Sequence, residues 1–390
     1  MSRQNPFPEG FLWGASTAAY QVEGGIDDVD WAQAAREGKV PPAGAACEFY
    51  TRYASDYDLA QSLGMNAQRL SIEWARIEPQ EGRFDINAIA HYRDMIGALR
   101  ERGMEPFINL WHFTLPTWFS DRGGFFDGRA SETFARYCAH VVEKLGGDAR
   151  MWLTINEPMV YSGVGFLRGE WPPFHKKDFV GFLRMIDALA HAHNLAYTEM
   201  KKVMPDVKIG IAKNNIYYEA DHNPFNIVAA MGMNWFWNER FLNKIARHQD
   251  FIGLNHYRWR KFGLTAEEQK GVVYSDFGWE VHSESLYHCL RGLKKYHLPV
   301  YVTEHGVADE KDVLRPLVLR NAVRSMRRAR EEGVEVKGYF HWSLLDNYEW
   351  AQGYTKKFGL IAVDFETQVR TMRPSADVYK EIITRNGLLE

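Results

Sequence analysis

Short apolar runs alternate with longer helical segments along most of the chain, and this alternation limits the possible folds more than any other feature. Eight runs have the length and composition of buried strands. Strands that alternate with helices predict βα units around a parallel sheet. The predicted strands are Gly10–Gly14, Ala67–Ile72, Glu105–Leu110, Met151–Ile155, Lys208–Ala212, Asp250–Leu254, Val300–Thr303 and Gly338–Trp342.

The segments between these runs carry the periodicity of helices. Several stop at a glycine or proline, namely Gly64, Gly103, Pro205 and Gly333, as helices commonly do. Eight strands alternating with helices predict one α/β domain, residues 1–390, folded as a closed (β/α)8 TIM barrel; a doubly wound open sheet is the alternative. The predicted helices are Tyr50–Leu63, Ile86–Arg102, Ser131–Leu145, Phe179–Val203, Asn226–Ile245, Ser283–Tyr296 and Leu314–Glu332.

The charge balance argues against a nucleic-acid partner. Lys and Arg number 47, and Asp and Glu number 50, so the formal charge is 47 − 50 = −3. Proteins that bind phosphate backbones usually carry an excess of positive charge. No apolar stretch approaches the roughly 18 residues that a membrane helix needs, so we expect no membrane span.

Cysteine usage and the N-terminal segment predict a cytoplasmic location. Cys47, Cys138 and Cys289 are odd in number and far apart, which fits neither a disulfide framework nor a zinc site. The first residues lack the apolar core of a signal peptide. Three idle thiols in a reducing compartment are the simplest interpretation.

Polar and aromatic side chains lie on or directly after the predicted strands. In a TIM barrel the carboxyl ends of the strands form the face that carries the active site. These residues lack the spacing of metal ligands and the glycine-rich loop that holds a phosphate, so we expect neither a metal nor a cofactor. In chain order they are Gln21, Arg69, His112, Asn156, Glu157, Asn214, Asn255, Tyr257, Glu304 and Trp342.

Glu157 and Glu304 are the two carboxylates of this set, at the ends of the fourth and seventh strands. Glycosidic bonds are cleaved between two carboxyl groups, one protonated and one ionised. Most glutamates are exposed and inert, so only the positions at opposite sides of the barrel mouth favour a catalytic pair. Arg69 can hold Glu304 ionised by a charge-assisted hydrogen bond. The 14% aromatic content suits a sugar site, because pyranose rings stack on indoles.

Four motifs resemble glycoside hydrolase family 1, the family of retaining β-glucosidases and β-galactosidases. Thr-Ile-Asn-Glu-Pro at 154–158 is similar to the acid/base motif of the family, and Val-Thr-Glu-His-Gly at 302–306 to its nucleophile motif. Asn-Ala-Gln-Arg-Leu-Ser-Ile-Glu-Trp at 66–74 and His-Trp-Ser-Leu-Leu-Asp-Asn-Tyr-Glu-Trp at 341–350 match two further family segments. The similarity runs from 11–24 to 373–376, nearly end to end.

This resemblance implies an O-glycosyl hydrolase that cleaves β-D-glucosides and β-D-galactosides by double displacement, with transglycosylation when an acceptor replaces water. Glu157 would be the general acid/base and Glu304 the nucleophile, supported by Arg69, Tyr257 and Asn255. The expected ligand is a small-molecule or oligosaccharide β-glycoside. Its glycone would contact Gln21, His112, Asn156, Trp342, Glu349 and Trp350, with Trp342 as the stacking floor.

Three departures from the family pattern carry expectations of their own. Phe113 stands where the family usually has Trp, which removes an indole N–H and predicts weaker glycone binding or broader tolerance. His305 replaces the usual Asn beside the nucleophile and either perturbs the pH profile or points away. The chain is also short between Asn214 and Asp250 and after Tyr257, which predicts a more open cleft that admits bulky aglycones.

Other functions fit the motifs less well. A 6-phospho-β-glycosidase would carry a smaller residue in place of Glu349, whose charge would repel a phosphate, and Lys356 alone does not compensate. A non-catalytic sugar-binding relative would lack one glutamate, and a thioglucosidase would lack Glu157. Another retaining barrel family would explain the glutamates but not the segment 341–350. No feature of the sequence predicts an oligomeric state.

Overall fold

The computed structural model describes residues 6–388 except 264, 266, 267 and 269. Eight parallel strands close into a barrel in which each strand pairs with its neighbours in the chain and β1 pairs with β8. The predicted TIM barrel is therefore confirmed, and the open sheet is excluded. The strands are β1 (Leu12–Ser16), β2 (Ala67–Ser71), β3 (Glu105–Asn109), β4 (Met151–Asn156), β5 (Lys208–Ala220), β6 (Ile252–Phe262), β7 (Val300–His305) and β8 (Val336–Trp342).

Helices surround the barrel, and the predicted ones are found within a few residues of their expected bounds, with one exception. The segment predicted as a single helix over Asn226–Ile245 is broken by a π-helical stretch. The α-helices are Ala19–Val22, Asp30–Arg36, Phe49–Ser62, Trp74–Ile77, Ile86–Glu101, Thr117–Ser120, Ala130–Leu145, Pro158–Ser162, Phe179–Val203, Pro224–Met233, Arg240–Lys244, Ser285–Leu293, Arg315–Glu331 and Pro374–Thr384. Gly163–Arg168 and Asn234–Glu239 are π-helical, and Gly124–Phe126, Lys294–Tyr296 and Trp350–Gln352 are 3₁₀ turns.

The predicted ends of the fifth and sixth strands were wrong, because both strands continue far beyond the barrel. β5 runs to Ala220 and β6 to Phe262, and the two remain paired in parallel up to their last residues. The helix Pro224–Met233 packs against both strands and covers this extension. The extension raises one wall of the barrel mouth above the rest. Two short ribbons, Val273–Tyr274 with Glu280–Val281 and Ile361–Val363 with Arg370–Met372, complete the strands.

Aromatic and aliphatic side chains fill the barrel interior below the mouth. The ring of Phe107 on β3 lies 5.1 Å from that of Phe340 on β8 and 5.3 Å from those of Tyr301 on β7 and Phe251, which directly precedes β6. Such contacts across the barrel make the interior a packed core and not a channel. A cleft can therefore open only at the carboxyl ends of the strands. In the described residues no helix is long and apolar enough to cross a membrane.

Candidate active site

A cavity of about 360 Å³ opens at the carboxyl ends of the strands. Both predicted catalytic residues, Glu157 and Glu304, line it. Two predicted residues, Arg69 and Asn255, do not line it but lie directly behind the carboxylates and are completely buried. The other predicted residues in the lining are Gln21, His112, Asn156, Tyr257, Trp342, Glu349 and Trp350.

The Glu304 carboxylate is held by two donors. Arg69 Nη1 forms a short ion pair with Oε1, and the Tyr257 hydroxyl donates to Oε2 over 2.7 Å. Burial, and then the charge of Glu304, raise the pKa of Tyr257 well above its usual range, so the phenol keeps its proton and remains a donor. A guanidinium and a phenol thus both donate to one carboxylate, and the guanidinium places a positive charge beside it.

Glu157 has a different environment, since its donors are neutral amides. Asn255 Nδ2 and Asn214 Nδ2 donate to Oε1 over 2.9 and 3.1 Å. Burial is the main cause that raises the pKa of Glu157 to about 7, and the negative charge of Glu304 adds to it. The amide donors and Arg69 oppose the shift without cancelling it. One carboxyl group of the cleft thus keeps its proton near neutral pH while its counterpart is paired with a cation.

Asn156 and Asn255 connect the two carboxylates through one buried network. Arg69 Nη2 and Asn255 Nδ2 donate to Asn156 Oδ1 over 2.7 and 3.1 Å. The Thr303 hydroxyl donates to Asn255 Oδ1 over 2.7 Å, which fixes the amide so that its nitrogen faces Glu157. Register shifts occur beside both residues, between Leu153 and Asn156 where β4 pairs with β5 and between Leu254 and Asn255 where β6 pairs with β7.

Three side chains of the cleft sit on left-handed backbone, which is uncommon outside glycine. Phe113 has a φ of 76°, Glu157 of 45° and Trp350 of 50°. Each such residue costs on the order of 1 kcal/mol or more and is retained where the surroundings enforce it. At Glu157 the following Pro158 begins a helix and the Glu157 N–H donates to Ala212 O over 2.8 Å, so the turn is fixed from both sides.

The inner end of the cleft carries polar atoms that have no partner among the described residues. Gln21 Nε2 donates to Asn347 Oδ1 and Tyr348 O, which leaves Gln21 Oε1 buried and free. Glu349 Oε2 is also buried without a partner. Burial, then the charges of Glu304 and Glu157, raise the pKa of Glu349 to about 8. Buried polar atoms without partners are costly, and hydroxyl groups of a ligand would satisfy them.

Aromatic rings frame the same end. The His112 ring is parallel to those of Trp350 and Trp342, with centroids 6.0 and 6.1 Å apart, and Trp350 stacks on Tyr20. Burial, and then Arg69, lower the pKa of His112 well below its usual range, so the imidazole is neutral. A neutral imidazole between indoles presents apolar faces and hydrogen-bonding edges, the combination that a pyranose ring requires.

The two substitutions at family positions have different locations. Phe113 lines the cleft, and its ring packs 4.9 Å from Trp171 and 5.2 Å from Trp350. His305 points away from the cleft, where Nδ1 lies 3.1 Å from the Tyr339 hydroxyl and the ring stacks on His256. Burial is the main cause that lowers the pKa of His305 well below its usual range, so it adds no charge beside Glu304.

Asn214 was predicted at the carboxyl end of the fifth strand without a role, and the structure shows it as a partner of Glu157. Several other residues of the site were not predicted. The apolar wall was missed because its residues lie on π-helical segments, on helices and on the unpredicted extension of β5. That wall comprises Val160, Val164, Leu167, Ile216, Tyr218, Met233 and Trp237, opposite Phe277, Trp279 and Phe358. In the described part of the chain, no three His, Cys, Asp or Glu residues are grouped so that they could hold a metal ion.

Comparisons with known proteins agree on one family. A profile of glycosyl hydrolase family 1 matches residues 3–265 and 227–388. Beta-glucosidase A of Thermotoga maritima is 34% identical over 440 residues, covering 98% of this chain and 98% of the relative. A beta-galactosidase of Pyrococcus woesei is 30% identical over 501 residues, with 98% of both chains covered. The structure of the Thermotoga maritima beta-glucosidase in complex with deoxynojirimycin matches with a TM-score of 0.91 at 32% identity, over 98% of this chain and 100% of that one.

These matches include the whole barrel and both segments that carry the carboxylates, so they do not depend on a local motif. The alignments are also longer than the 390 residues of this chain, in agreement with the expectation that it is shorter than its relatives. By profile, by sequence identity and by structure, the chain belongs to glycosyl hydrolase family 1.

Proposed function

We propose that this protein hydrolyses β-D-glucosides and β-D-galactosides with retention of anomeric configuration. One observation carries the proposal: two carboxyl groups share one cleft, Glu157 with a pKa raised to about 7 by burial and Glu304 bound to Arg69 and Tyr257. Family membership supports the same chemistry, and both beta-glucosidases and beta-galactosidases occur among the relatives. The whole chain would act as one catalytic domain.

In the first step, Glu304 attacks the anomeric carbon while Glu157 transfers its proton to the glycosidic oxygen. The bond between that carbon and oxygen breaks, the aglycone leaves as an alcohol, and the glycone remains esterified to Glu304. In the second step, the ionised Glu157 takes a proton from water as the water oxygen attacks the anomeric carbon. The ester bond breaks, Glu304 regains its negative charge, and Glu157 is protonated again. A sugar hydroxyl that replaces the water gives transglycosylation.

The glycone would occupy the inner end of the cleft. Gln21 Oε1 and Glu349 Oε2 are the free acceptors that its hydroxyls would meet, and His112, Asn156 and Trp350 would supply further hydrogen bonds. Trp342 would lie under the ring. The ligands of solved relatives support a sugar-sized inner site, since these structures contain deoxynojirimycin, castanospermine and galacto-hydroximolactam.

A 6-phospho-glycoside fits this inner site poorly. A phosphate would bring negative charge beside the Glu304 carboxylate and would oppose ionisation of the nearby carboxyl groups of Glu349 and Glu157. Lys356, the cation considered for that role, donates to Asp276 O over 2.7 Å and is not part of the cleft lining. The phosphate would therefore have repulsion without compensation.

We also propose that the enzyme acts in the cytoplasm. The support is that all three cysteines are buried and unpaired, and that burial is the main cause that raises the pKa of the Cys47, Cys138 and Cys289 thiols. Such thiols are stable in a reducing compartment and do not require oxidation for the fold.

Release of nitrophenol from aryl β-glucoside, β-galactoside and 6-phospho-β-glucoside tests the activity. We expect turnover of the first two only. A lack of turnover for all three would favour a sugar-binding protein over an enzyme, and selective turnover of the phosphorylated substrate would contradict the proposed specificity.

Deletion of each carboxylate with azide as an external nucleophile tests the roles. In Glu304→Ala, azide should enter from the vacated face and give the inverted α-glycosyl azide. In Glu157→Ala, azide should trap the glycosyl-enzyme and give the retained β-glycosyl azide. Glu157→Gln should slow poor leaving groups by 10²-fold or more beyond its effect on activated ones, on the order expected for general acid catalysis. The reverse pattern of azide products would exchange the two roles.

A further inference from the structure

The outer part of the cleft widens into a second space whose lining is strongly basic. This space, here called the vestibule, has a volume of about 620 Å³ and is lined by Arg168, Arg258, Arg260, Phe277, Trp279, Gln352 and Lys356. Five of these residues, all except Arg260 and Lys356, also line the catalytic cleft, so the two spaces are continuous. The lining of the vestibule contains four cationic side chains and no carboxylate.

The extension of β6 explains why two arginines meet there. Side chains alternate along a strand, so Arg258 and Arg260 project to one face while Trp259 projects to the other, where it is buried against His282. β5 pairs alongside, with Ile216 opposite Arg258 and Tyr218 opposite Arg260. Because the extension rises above the barrel, it carries this basic face to the rim of the cleft.

The other two cations come from the ends of different strands. Arg168 ends the π-helix Gly163–Arg168, which follows the helix that begins at Pro158 directly after Glu157. Lys356 follows β8, and its ammonium group lies 5.8 Å from the centre of the Phe277 ring. The vestibule therefore gathers positive charge from three sides of the barrel mouth.

Most of this charge is not neutralised. Arg168 is paired with Glu170, whose Oε2 lies 2.8 Å from Nη2, and Lys356 donates to a backbone carbonyl. Arg258 and Arg260 have no carboxylate partner among the described residues. The negative charge of Glu280 opposes the lowering of the pKa of Arg258, but the two side chains do not form an ion pair. Burial is the main cause that lowers the pKa of Arg258, and the positive charges of Arg260 and Arg168 add to it.

The vestibule lies on the side that an aglycone would occupy. The inner end of the cleft is closed by Gln21 and Glu349, whereas Arg168, Arg260 and Gln352 are exposed at the rim. With the glycone at the inner end, the leaving group must extend outward past Glu157. Phe277 and Trp279 stack on each other at 4.1 Å, and the Arg258 guanidinium lies 5.8 Å from the Trp279 ring centre. A flat aromatic body can rest on these rings while an anionic substituent reaches the arginines.

We propose that the vestibule is a subsite for an anionic aglycone, in particular an aryl group that ends in a carboxylate. The inference rests on the proposed function and specifies the substrate class of the same cleft. A carboxylate accepts two parallel hydrogen bonds from a guanidinium, and its charge relieves the repulsion between Arg258 and Arg260. β-Glucosides of phenolic acids have this chemistry, with the sugar on the phenol oxygen and the carboxylate at the far end.

A matched pair of substrates tests the subsite: the β-glucoside of 4-hydroxycinnamic acid and the same glucoside with the acid converted to a methylamide. We expect kcat/KM for the acid to exceed that for the amide about tenfold in dilute buffer, and the ratio to fall toward 1 in about 0.5 M salt, because exposed charges are screened. A ratio of 1 or below in dilute buffer overturns the inference. Turnover of the amide in that case leaves the proposed hydrolase function intact, whereas no turnover of either substrate would contradict that function itself.

Two variants assign the effect to the arginines. Arg260→Gln, at an exposed position, should lower the acid-to-amide ratio of kcat/KM about threefold. Arg260→Glu should invert this preference for negative charge, so that a matched glucoside whose aglycone carries an aminomethyl group becomes the better substrate. Arg324→Gln is the matched control, since Arg324 is an exposed arginine outside the cleft, and its ratio should equal that of the wild type. A sulfonate in place of the carboxylate separates the two kinds of anion: equal preference indicates recognition of charge, and preference for the carboxylate alone indicates the bidentate geometry. An unchanged ratio in both Arg260 variants contradicts the assignment.

Discussion

Asn214 donates a hydrogen bond of 3.1 Å from its side-chain amide to Glu157 Oε1. Among the described residues, the other partner of this amide is Trp237, whose indole donates to Oδ1 over 3.4 Å. This donor stabilises the ionised carboxylate and opposes the effect of burial on the pKa of Glu157. An amide from a neighbouring strand thus lowers the pKa of the acid that protonates the leaving group, and this effect can be removed without changing either carboxylate.

Replacement of Asn214 by Leu should move the alkaline limb of the pH profile to higher pH. The reaction requires protonated Glu157, so kcat/KM falls as the pH rises through about 7, the raised pKa of that group. Loss of a donor to the ionised form raises this pKa further, and we expect a shift of roughly 0.5 to 1 pH unit. The measurement is kcat/KM for nitrophenyl β-glucoside between pH 5 and 9. Asn194→Leu, on an outer helix, is the control, and a limb that moves to lower pH would contradict the account.

Replacement of Tyr257 by Phe should lower kcat about 10- to 100-fold. The hydroxyl donates to Glu304 Oε2 over 2.7 Å, and its removal leaves the carboxylate with Arg69 alone, so that its orientation toward the anomeric carbon is less fixed. The ring itself packs on Trp279 and Phe358, and Phe retains those contacts, so the thermal midpoint should stay within a few degrees. Single-turnover kinetics that show an unchanged rate of glycosyl-enzyme formation would rule out this role.

The barrel could be predicted from the sequence because its signals are local and repeated. The helices stop at Gly64, Gly103 and Gly333, as predicted, and these glycines adopt the left-handed backbone that is common after helix ends. The extensions of β5 and β6 were missed although residues 215–220 and 257–262 contain isoleucine and aromatic side chains that favour strands, because a barrel strand is expected to end at the mouth and to be followed by a helix. The pairing of the two strands, together with elements packed on them such as the helices Pro224–Met233 and Ser285–Leu293, stabilises this conformation.

The site itself was predictable as a set of residues but not as a geometry. Strand ends identify Glu157, Glu304 and Asn255, whereas nothing local to the sequence shows that Glu157 adopts a φ of 45° or that Arg69 contacts both Asn156 and Glu304. These features depend on contacts between residues that are far apart in the chain. The apolar wall and the basic vestibule are hidden for the same reason, because they combine several strands and two π-helical segments.

Replacement of Glu349 by Gln should increase the stability of the protein and decrease its activity. The pKa of this carboxyl rises from 4.5 to about 8 on folding, so between these pH values the folded state binds more protons than the unfolded state. Titration of this group therefore lowers the free energy of unfolding of the wild type as the pH rises from 4.5 to 8, and Gln removes this decrease. We expect the variant to gain in denaturation midpoint relative to wild type across this window, while kcat/KM falls 10²-fold or more. Glu366→Gln, at an exposed position, is the control and should track the wild type at every pH.

Replacement of Phe113 by Trp should strengthen glycone binding. Phe113 lines the cleft beside Trp350 but offers no donor, and an indole N–H that reaches a sugar hydroxyl contributes about 1 kcal/mol, or about fivefold in kcat/KM. Phe113→Leu adds no donor and should not show the gain. Glucosides and galactosides should be compared for all three proteins, since a donor to one hydroxyl also narrows sugar tolerance. Equal kcat/KM values for Trp and Phe at this position would refute the idea.

Replacement of Lys213 by Met should flatten the dependence of stability on pH above neutrality. Lys213 is completely buried on the outer side of β5, where Nζ donates to Asn214 O and to Asn215 Oδ1, the latter over 3.3 Å. Burial lowers its pKa from 10.5 to about 7, and the charges of Glu157 and Cys289 oppose this only in part.

The sign of the effect follows from proton binding. Between pH 7 and 10.5 the unfolded chain binds a proton at this lysine that the folded protein does not, so the free energy of unfolding rises with pH across that window. The total is on the order of 5 kcal/mol, since each pKa unit corresponds to about 1.4 kcal/mol. Met removes this contribution, so the variant should be more stable than the wild type at pH 6.5, and the difference should shrink steadily toward pH 10. Urea denaturation midpoints at four pH values give the test, with Lys208→Met, at an exposed position on the same strand, as the control. A constant difference between Lys213→Met and wild type from pH 6.5 to 10 would mean that this lysine stays charged inside the protein, held by its two oxygen acceptors.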